Sequence, residues 1–278
     1  MVIGVQKILV LTDLHLRSPG ETIIGLDPFA RLQVALDHAL THHGDAAALV
    51  VMGDLTHSGK ATEYAQLVRA LCDLPIPVIP MIGNHDARAG FRAAFPDAPH
   101  SAGGFVQAIT DLPTHRLITL DTRSDLEGLR GHAGQFCATR QAFLRDALDG
   151  ADGRIPLVFA HHPPMDIGLP GMDGIRILDG AEAMITLLAS HPRAHLFCGH
   201  VHRTISGSTA GIPFTLFKST CHQAPLDLRS HDSTISVDEP GAYGVLLLAP
   251  DGVIAHSEDV GLNAQVFTGS AALPDATP

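Results

Sequence analysis

The sequence predicts an α/β fold built on a largely parallel sheet. Short apolar runs recur along the first two thirds of the 278-residue chain, and segments with helical spacing of apolar residues separate them. The six runs are KILVLT (7–12), ALVVMG (48–53), PVIPMI (77–82), RLITL (116–120), IPLVFA (155–160) and AHLFCG (194–199). Because apolar residues do not alternate with polar ones in these runs, we expect strands that are buried on both faces.

The segments between the runs carry helix signals. Asp27 suits a helix N-cap and Pro28 suits the first helical turn, and the apolar residues after them recur at helical spacing. Further helices are predicted at 61–73, 139–149 and 179–191. Strands that alternate with helices form βαβ units, which produce a layered sheet.

The pattern of predicted secondary structure changes after residue 205, where strand-like runs follow one another with little helix. IPFTLFKST, GAYGVLLLAP and GVIAHSE are interpreted as strands of a second sheet. Residues 221–240 have no clear period and are expected to form a loop or flap over one end of the domain. The tail, 268–278, is expected to be mobile.

Composition excludes several classes of partner. Lys and Arg number 18 against 29 Asp and Glu, so the formal net charge of −11 disfavours a nucleic-acid polymer or an anionic membrane as a partner. No run of eighteen apolar residues occurs, so no membrane span is predicted. The four cysteines are widely spaced, which disfavours a disulfide framework and indicates a cytoplasmic protein.

Polar residues follow five of the predicted strands. The blocks are TDLH (Asp13, His15), GDLTHSG (Asp54), GNHD (Asn84, His85), AHHPP (His161, His162) and GHVH (His200, His202). The carboxyl ends of parallel strands meet at one edge of a sheet, so these side chains are expected to converge there. Carboxylate, imidazole and amide ligands together suit Fe, Mn, Zn or Co.

The number of ligands indicates two divalent or trivalent transition-metal ions that share a carboxylate. Two dications, two aspartates and a bridging hydroxide would leave a net charge of about +1, which a phosphodiester monoanion would neutralise. Hydrolysis of a small phosphodiester by attack of the metal-bridging hydroxide is therefore the predicted reaction.

The five blocks, in this order over residues 13–202, resemble the calcineurin-like metallophosphoesterases. TDLHLRSPGETIIGLD, AHHPPMDIG and FCGHVH are similar to the class III cyclic-nucleotide phosphodiesterase and glycerophosphodiesterase branch. The resemblance implies a four-layer αββα sandwich with a C-terminal cap or flap, in one domain over 1–267. It also implies that a cap segment at about 205–240 assembles a homo-oligomer, a dimer or larger.

The resemblance assigns seven metal ligands, in two groups joined by one carboxylate. They are Asp13, His15 and His202 for one ion, Asn84, His161 and His200 for the other, and Asp54 between them. His85 is assigned to catalysis, because in the family this residue stabilises or protonates the departing oxygen. Asn84, His85 and His222 are expected to contact the substrate.

The roles of the other polar residues near the blocks are open to more than one interpretation. His57 lines the pocket or is structural, and Arg17 contacts phosphate or pairs with an acidic loop. His162 packs or hydrogen-bonds nearby, and Asp86 orients His85, caps the loop or takes part in the chemistry. Gln223 contacts substrate or belongs to a polar loop. The histidines outside the blocks are interpreted as structural or solvated: His38, His42, His43, His100, His115, His132, His191 and His195.

Three functions are considered for this sequence. The first is a phosphodiesterase for a 3',5'-cyclic nucleotide or a glycerophosphodiester, and the second is a phosphomonoesterase or nucleotidase with the same centre. The third is a non-catalytic scaffold of the same fold, which the complete ligand set disfavours. A protein phosphatase is disfavoured because the blocks contain few arginines.

Overall fold

A computed structural model describes residues 6–263, which form two facing β-sheets with helices on their outer surfaces. The strands are β1 (Gln6–Leu11), β2 (Ala48–Met52), β3 (Val78–Met81), β4 (Ala108–Asp111), β5 (His115–Leu120), β6 (Gly134–Gln135), β7 (Ile155–Ala160), β8 (Ile177–Asp179), β9 (His195–Cys198), β10 (Ile205–Thr209), β11 (Ile212–Leu216), β12 (Ala242–Ala249) and β13 (Gly252–Asp259). The α-helices are α1 (Pro28–His43), α2 (Ala61–Leu71), α3 (Arg88–Ala94), α4 (Ala138–Asp149), α5 (Pro170–Asp173) and α6 (Ala181–Ala189).

The first sheet is antiparallel at one edge and parallel at the other, whereas the second has a parallel centre with an antiparallel strand at each edge. The first runs β13, β12, β1, β2, β3, and the second runs β10, β11, β9, β7, β5, β4. Strands β1, β2 and β3 are mutually parallel, as are β5, β7, β9 and β11. The parallel strands therefore deliver the polar blocks that follow β1, β2, β3, β7 and β9 to one end of the molecule.

Three apolar clusters fill the spaces between four layers, which gives the expected αββα sandwich. Alternate residues of a central strand face opposite layers, so Leu9 and Leu11 of β1 pack towards helices while Ile8 and Val10 pack towards the second sheet. Helices α4 and α6 cover the second sheet through Leu144 and Leu188. Burial on both faces explains why the strand runs are continuously apolar.

The six predicted strands are confirmed to within one residue at each end. The predicted helices are confirmed to within two residues, and the Asp27 side chain accepts hydrogen bonds from the backbone N–H groups of Phe29 and Ala30. None of the helices within 6–263 has the length and apolar character needed to cross a bilayer. The predicted mobile tail lies outside the described residues.

The prediction of a separate C-terminal sheet is wrong. Strand β11 pairs with β9 in the second sheet, whereas β12 pairs antiparallel with β1 in the first and carries β13 at its outer edge. The first sheet would otherwise leave the hydrogen-bonding groups of β1 unpaired on the side away from β2, so the late strands complete it. The segment 205–240 accordingly begins with an edge hairpin, β10 and β11, and continues as the irregular stretch 221–240.

His195 in β9 leads to a prediction about acid stability. Burial lowers its pKa to about 4, and its Nε2 lies 3.0 Å from Thr215 Oγ1. The unfolded chain takes up a proton near pH 6.5 but the native state does not, so stability present above that pH is lost between about 6.5 and 4. We expect His195→Gln to remove about 2–3 kcal/mol of the fall in unfolding free energy between pH 7 and pH 4. Urea titrations that give the wild type and the variant the same fall in unfolding free energy between pH 7 and pH 4 would contradict this.

Candidate metal centre

The side chains that follow the five strands converge in a buried cluster. His202 Nε2 lies 3.2 Å from Asp13 Oδ1, and His15 Nε2 lies 3.0 Å from His202 Nε2. A single oxygen, Asp54 Oδ2, lies 3.6 Å from His15 Nε2 and 3.3 Å from His161 Nε2. Asp54 therefore stands between two groups of ligand atoms, as a bridging carboxylate requires.

The backbone is unusual at these positions. Five site residues have positive φ angles, between 46° and 68°, a region that residues other than glycine rarely adopt: Asp13, His15, Asp54, His200 and His202. The glycines of the blocks provide close packing, because a Cβ at Gly83 would collide with the Asp54 carboxylate and one at Gly53 would collide with the His161 ring. The glycines before Asp54 and Asn84 thus serve side-chain packing as well as the turns.

Backbone carbonyls orient the candidate histidine ligands. His161 Nδ1 lies 3.0 Å from Met52 O, and His202 Nδ1 lies 2.8 Å from His222 O. In His200 it is Nε2 that lies 3.1 Å from a carbonyl, that of Ile175. A ring N–H that donates to a carbonyl leaves the opposite nitrogen with its lone pair, so His161 and His202 offer Nε2 and His200 offers Nδ1.

The donor atoms fit transition-metal ions. Asn84 Oδ1 is buried without a hydrogen-bond partner among residues 6–263, an arrangement that is costly unless something binds it. In the part of the chain that the structure describes, four groups of three side chains have ligand atoms within 4.8 Å of one another, and one of these groups is Asp13, Asp54 and His161. Carboxylate oxygens with imidazole nitrogens suit Zn, Fe, Mn or Co.

The buried carboxylates of Asp13 and Asp54 favour positive charge beside them. Burial opposes ionisation of Asp54, but the neighbouring His161 and His85 hold its pKa well below the ordinary value. Burial likewise lowers the pKa of His161, yet Asp54 and Asp13 outweigh it and raise that pKa to about 9. Cation binding between these groups is electrostatically favourable for the same reason.

His85 is held beside the cluster by its own backbone and by a carbonyl. Its N–H donates to Asp54 Oδ1 over 2.9 Å, and its ring Nδ1 lies 2.7 Å from His57 O. The ring packs edge-on against His15, with 4.7 Å between ring centroids. Nε2 is therefore the ring atom left to interact with a ligand in the adjoining pocket.

A pocket of about 410 Å³ opens over the cluster. Its lining contains histidines, among them His15, His57, His85 and His222, and apolar side chains such as Ile235. Part of 221–240 borders the pocket, and its role as a flap stays a prediction. A second cavity, of about 450 Å³ at the edges of β3 and β4, contains none of the predicted site residues.

The structure places the residues whose roles were open. His57 and His222 line the pocket; burial, with neighbouring histidines adding, lowers their pKa values to about 4 and about 3, so both are neutral near pH 7. Arg17 instead forms an ion pair with Glu21, at 2.9 Å. Gln223 also lines the pocket, while its amide bonds to the backbone of Ser219 and braces its own loop.

Both ring nitrogens of His162 are already engaged. Nδ1 lies 2.7 Å from Thr122 Oγ1, and Nε2 lies 3.1 Å from His132 O. This leaves His161, rather than His162, as the ligand candidate of the AHHPP block. His162 supports the loop that contains His132.

His132, interpreted from the sequence as structural or solvated, is exposed and also lines the pocket. Its Nδ1 lies 2.9 Å from Asn84 Nδ2, and its ring stacks on His85 with 4.7 Å between centroids. His132 lies in the long loop between β5 and β6, and no strand-end pattern marks it. Only the three-dimensional path of the loop brings it to the site.

Comparisons with known proteins found relatives both by sequence and by fold. The family model for calcineurin-like phosphoesterases matches residues 6–204. A probable cyclic nucleotide phosphodiesterase of Rhodopseudomonas palustris is 38% identical over 252 residues, covering 90% of this chain and 91% of the relative. A probable glycerophosphodiester phosphodiesterase of Arcobacter nitrofigilis is 27% identical, covering 91% and 93%. A dimetal phosphatase from Danio rerio has a similar fold, with a TM-score of 0.69, 15% identity and coverage of 92% and 96%.

Proposed function

We propose that this chain, which belongs to the calcineurin-like phosphoesterase family, is a dinuclear-metal-dependent hydrolase of small phosphodiesters. The substrate class is a 3',5'-cyclic nucleotide or a glycerophosphodiester, as in the names of its relatives. The observation that carries the proposal is the position of Asp54 Oδ2 between His15 and His161, since one oxygen there can serve two ions.

The proposed ligands fall on the two sides of Asp54. Asp13, His15 and His202 would hold one ion, and Asn84, His161 and His200 would hold the other. Bound Fe, Mn, Zn or Co ions would supply positive charge for phosphoryl oxygens and a hydroxide nucleophile near neutral pH. The chain's own contribution is to fix the ligand atoms through backbone carbonyls and left-handed backbone conformations.

His85 is the proposed general acid. With Nδ1–H donating to His57 O, a protonated His85 carries its second proton on Nε2, beside the pocket. As the P–O bond to the leaving group breaks, Nε2 gives that proton to the departing oxygen. The neutral ring that remains keeps the tautomer that the His57 carbonyl stabilises.

The pocket favours a diester over a monoester. Within the described residues its lining contains no lysine or arginine, so little protein charge is available to balance the second negative charge of a monoester. The hydroxyl groups of Ser233 and Thr234 and the apolar side chains of Ile23 and Met172 suit an uncharged organic group beside the phosphate. A phosphomonoesterase remains the second candidate because the metal centre itself does not distinguish leaving groups.

We also propose that the protein is a cytoplasmic homo-oligomer. Four free cysteines suit a reducing compartment. Leu226 and Leu228, on the segment 205–240, are exposed at 66% and 64%, as expected for side chains that a second copy covers. The oligomer size and the role of this segment in assembly stay predictions.

Metal-reconstituted assays test the function. We expect protein stripped of metal by chelation to be inactive. Addition of Mn²⁺, Co²⁺, Zn²⁺ or Fe²⁺ should restore hydrolysis of cyclic AMP, glycerophosphocholine or bis(p-nitrophenyl) phosphate. A matched monoester should be hydrolysed more slowly than these diesters. Asn84→Ala should weaken binding of one ion, and excess metal should partly rescue it. His42→Ala, which removes an exposed histidine of α1, is the control. Full activity of the stripped protein, or wild-type metal dependence in Asn84→Ala, would contradict the proposal.

A further inference from the structure

We infer that His132 is a positioning residue of the metal centre, and that its imidazole determines which way the Asn84 amide faces. The inference rests on the proposed function, because the direction of this amide matters only if Asn84 binds a metal ion. Neither the strand-end blocks nor their spacing includes His132. Its position in the structure alone suggests the role.

The hydrogen bond between these residues distinguishes the two ends of the amide. Asn84 Nδ2 lies 2.9 Å from His132 Nδ1, while Asn84 Oδ1 is buried and has no hydrogen-bond partner in the described chain. A half-turn of the amide would exchange its oxygen and nitrogen. A ring nitrogen with a lone pair accepts only from the amide nitrogen, so the bond leaves Oδ1 as the end available to a cation.

His132 is itself held in place. Its backbone carbonyl lies 3.1 Å from His162 Nε2, and its φ of +68° is one that histidine and asparagine adopt more readily than most residues. The backbone N–H of His162 donates to Thr122 Oγ1, and the Thr122 hydroxyl can donate to His162 Nδ1. That leaves His162 Nε2 with the proton that it donates to His132 O.

A chain of hydrogen bonds thus runs from Thr122 through His162 and His132 to the Asn84 amide. It gives His162 a function although this residue is not a ligand candidate. The stacking of His132 on His85, with 26° between ring planes, also joins the amide to the proposed acid. Loss of such a supporting hydrogen bond typically weakens metal affinity by about 10- to 100-fold.

Two variants of His132 separate its hydrogen bond from its ring. His132→Phe keeps an aromatic ring for stacking on His85 but removes the acceptor. His132→Asn removes the ring but supplies an amide oxygen near the Nδ1 position and suits the positive φ. Mn²⁺ binding to metal-free protein, followed by calorimetry and metal analysis, is the readout, with thermal unfolding measured alongside.

We expect wild-type protein to bind two Mn²⁺ ions and His132→Phe to bind one of them about tenfold or more weakly, with the other unchanged. His132→Asn should regain most of that affinity. In an Asn84→Ala background, His132→Phe should add no further loss, because the effect passes through the amide.

Three outcomes would overturn the inference while leaving the proposed function intact. In the first, His132→Phe binds both Mn²⁺ ions as tightly as the wild type does. In the second, His132→Phe and His132→Asn lose the same amount of Mn²⁺ affinity. In the third, His132→Phe lowers Mn²⁺ affinity in the Asn84→Ala background as much as it does in the wild type. Wild-type protein that binds fewer than two ions would instead contradict the proposed function, and the inference with it.

Discussion

Replacing His85 by alanine is expected to lower the turnover of diesters with poor leaving groups by about 10²-fold or more while metal binding is retained. The backbone N–H of His85, which donates to Asp54 Oδ1, survives the substitution, so the bridging carboxylate keeps its partner. What is lost is the ring whose Nδ1 is held by His57 O and whose Nε2 is free for the leaving oxygen.

The leaving group provides the test of this role. Cyclic AMP and glycerophosphocholine release alkoxides, which need a proton, whereas bis(p-nitrophenyl) phosphate releases a stable anion. The loss in kcat should therefore be much smaller for the nitrophenyl diester. His57→Ala is the matched control, because it removes a pocket histidine but keeps the carbonyl that holds His85. Equal losses on all substrates would indicate that His85 binds the phosphate instead of protonating the leaving group.

The central strands could be predicted because both faces of each strand are buried. In β1, Leu9 and Leu11 meet helices while Ile8 and Val10 meet the other sheet, so every position is apolar and the run is conspicuous. The convergence of the candidate ligands could be predicted for a related reason. Parallel strands bring residues distant in sequence to one edge, so Asp13 and His202 meet without any local signal that they should.

Long-range pairing and loop paths could not be predicted in this way. The apolar run of β12 is compatible with pairing in either sheet, and only the unpaired side of β1 decides between them. His132 reaches the pocket because its loop returns between β5 and β6, and no periodicity encodes that path. The carbonyls of Met52, Ile175 and His222, which orient three histidines, are backbone atoms and have no signature in the sequence.

Replacing Asp86 by alanine is expected to have the largest effect on stability and to impair the metal centre as well. Asp86 is 2% exposed, and Oδ2 accepts from the N–H groups of Leu55 and Gly83, at 3.0 and 2.9 Å. Its Oδ1 accepts from Thr56 N at 3.1 Å and from Thr56 Oγ1 at 2.8 Å. One carboxylate therefore ties the loop that presents Asp54 to the loop that presents Asn84.

Alanine would leave three buried backbone N–H groups without an acceptor, each at a cost of about 1–3 kcal/mol, so the unfolding free energy should fall by about 3–5 kcal/mol. Because the two loops would keep only the hydrogen bond from His85 N–H to Asp54 Oδ1, Mn²⁺ should also bind more weakly even where the variant is fully folded. Thr56→Val, which removes only the hydroxyl contact, is the matched control and should cost about 1 kcal/mol with metal binding retained. Denaturant titration and metal binding on the same samples separate the two effects. An Asp86→Ala protein with wild-type stability and affinity would show that the loops hold their positions without the carboxylate.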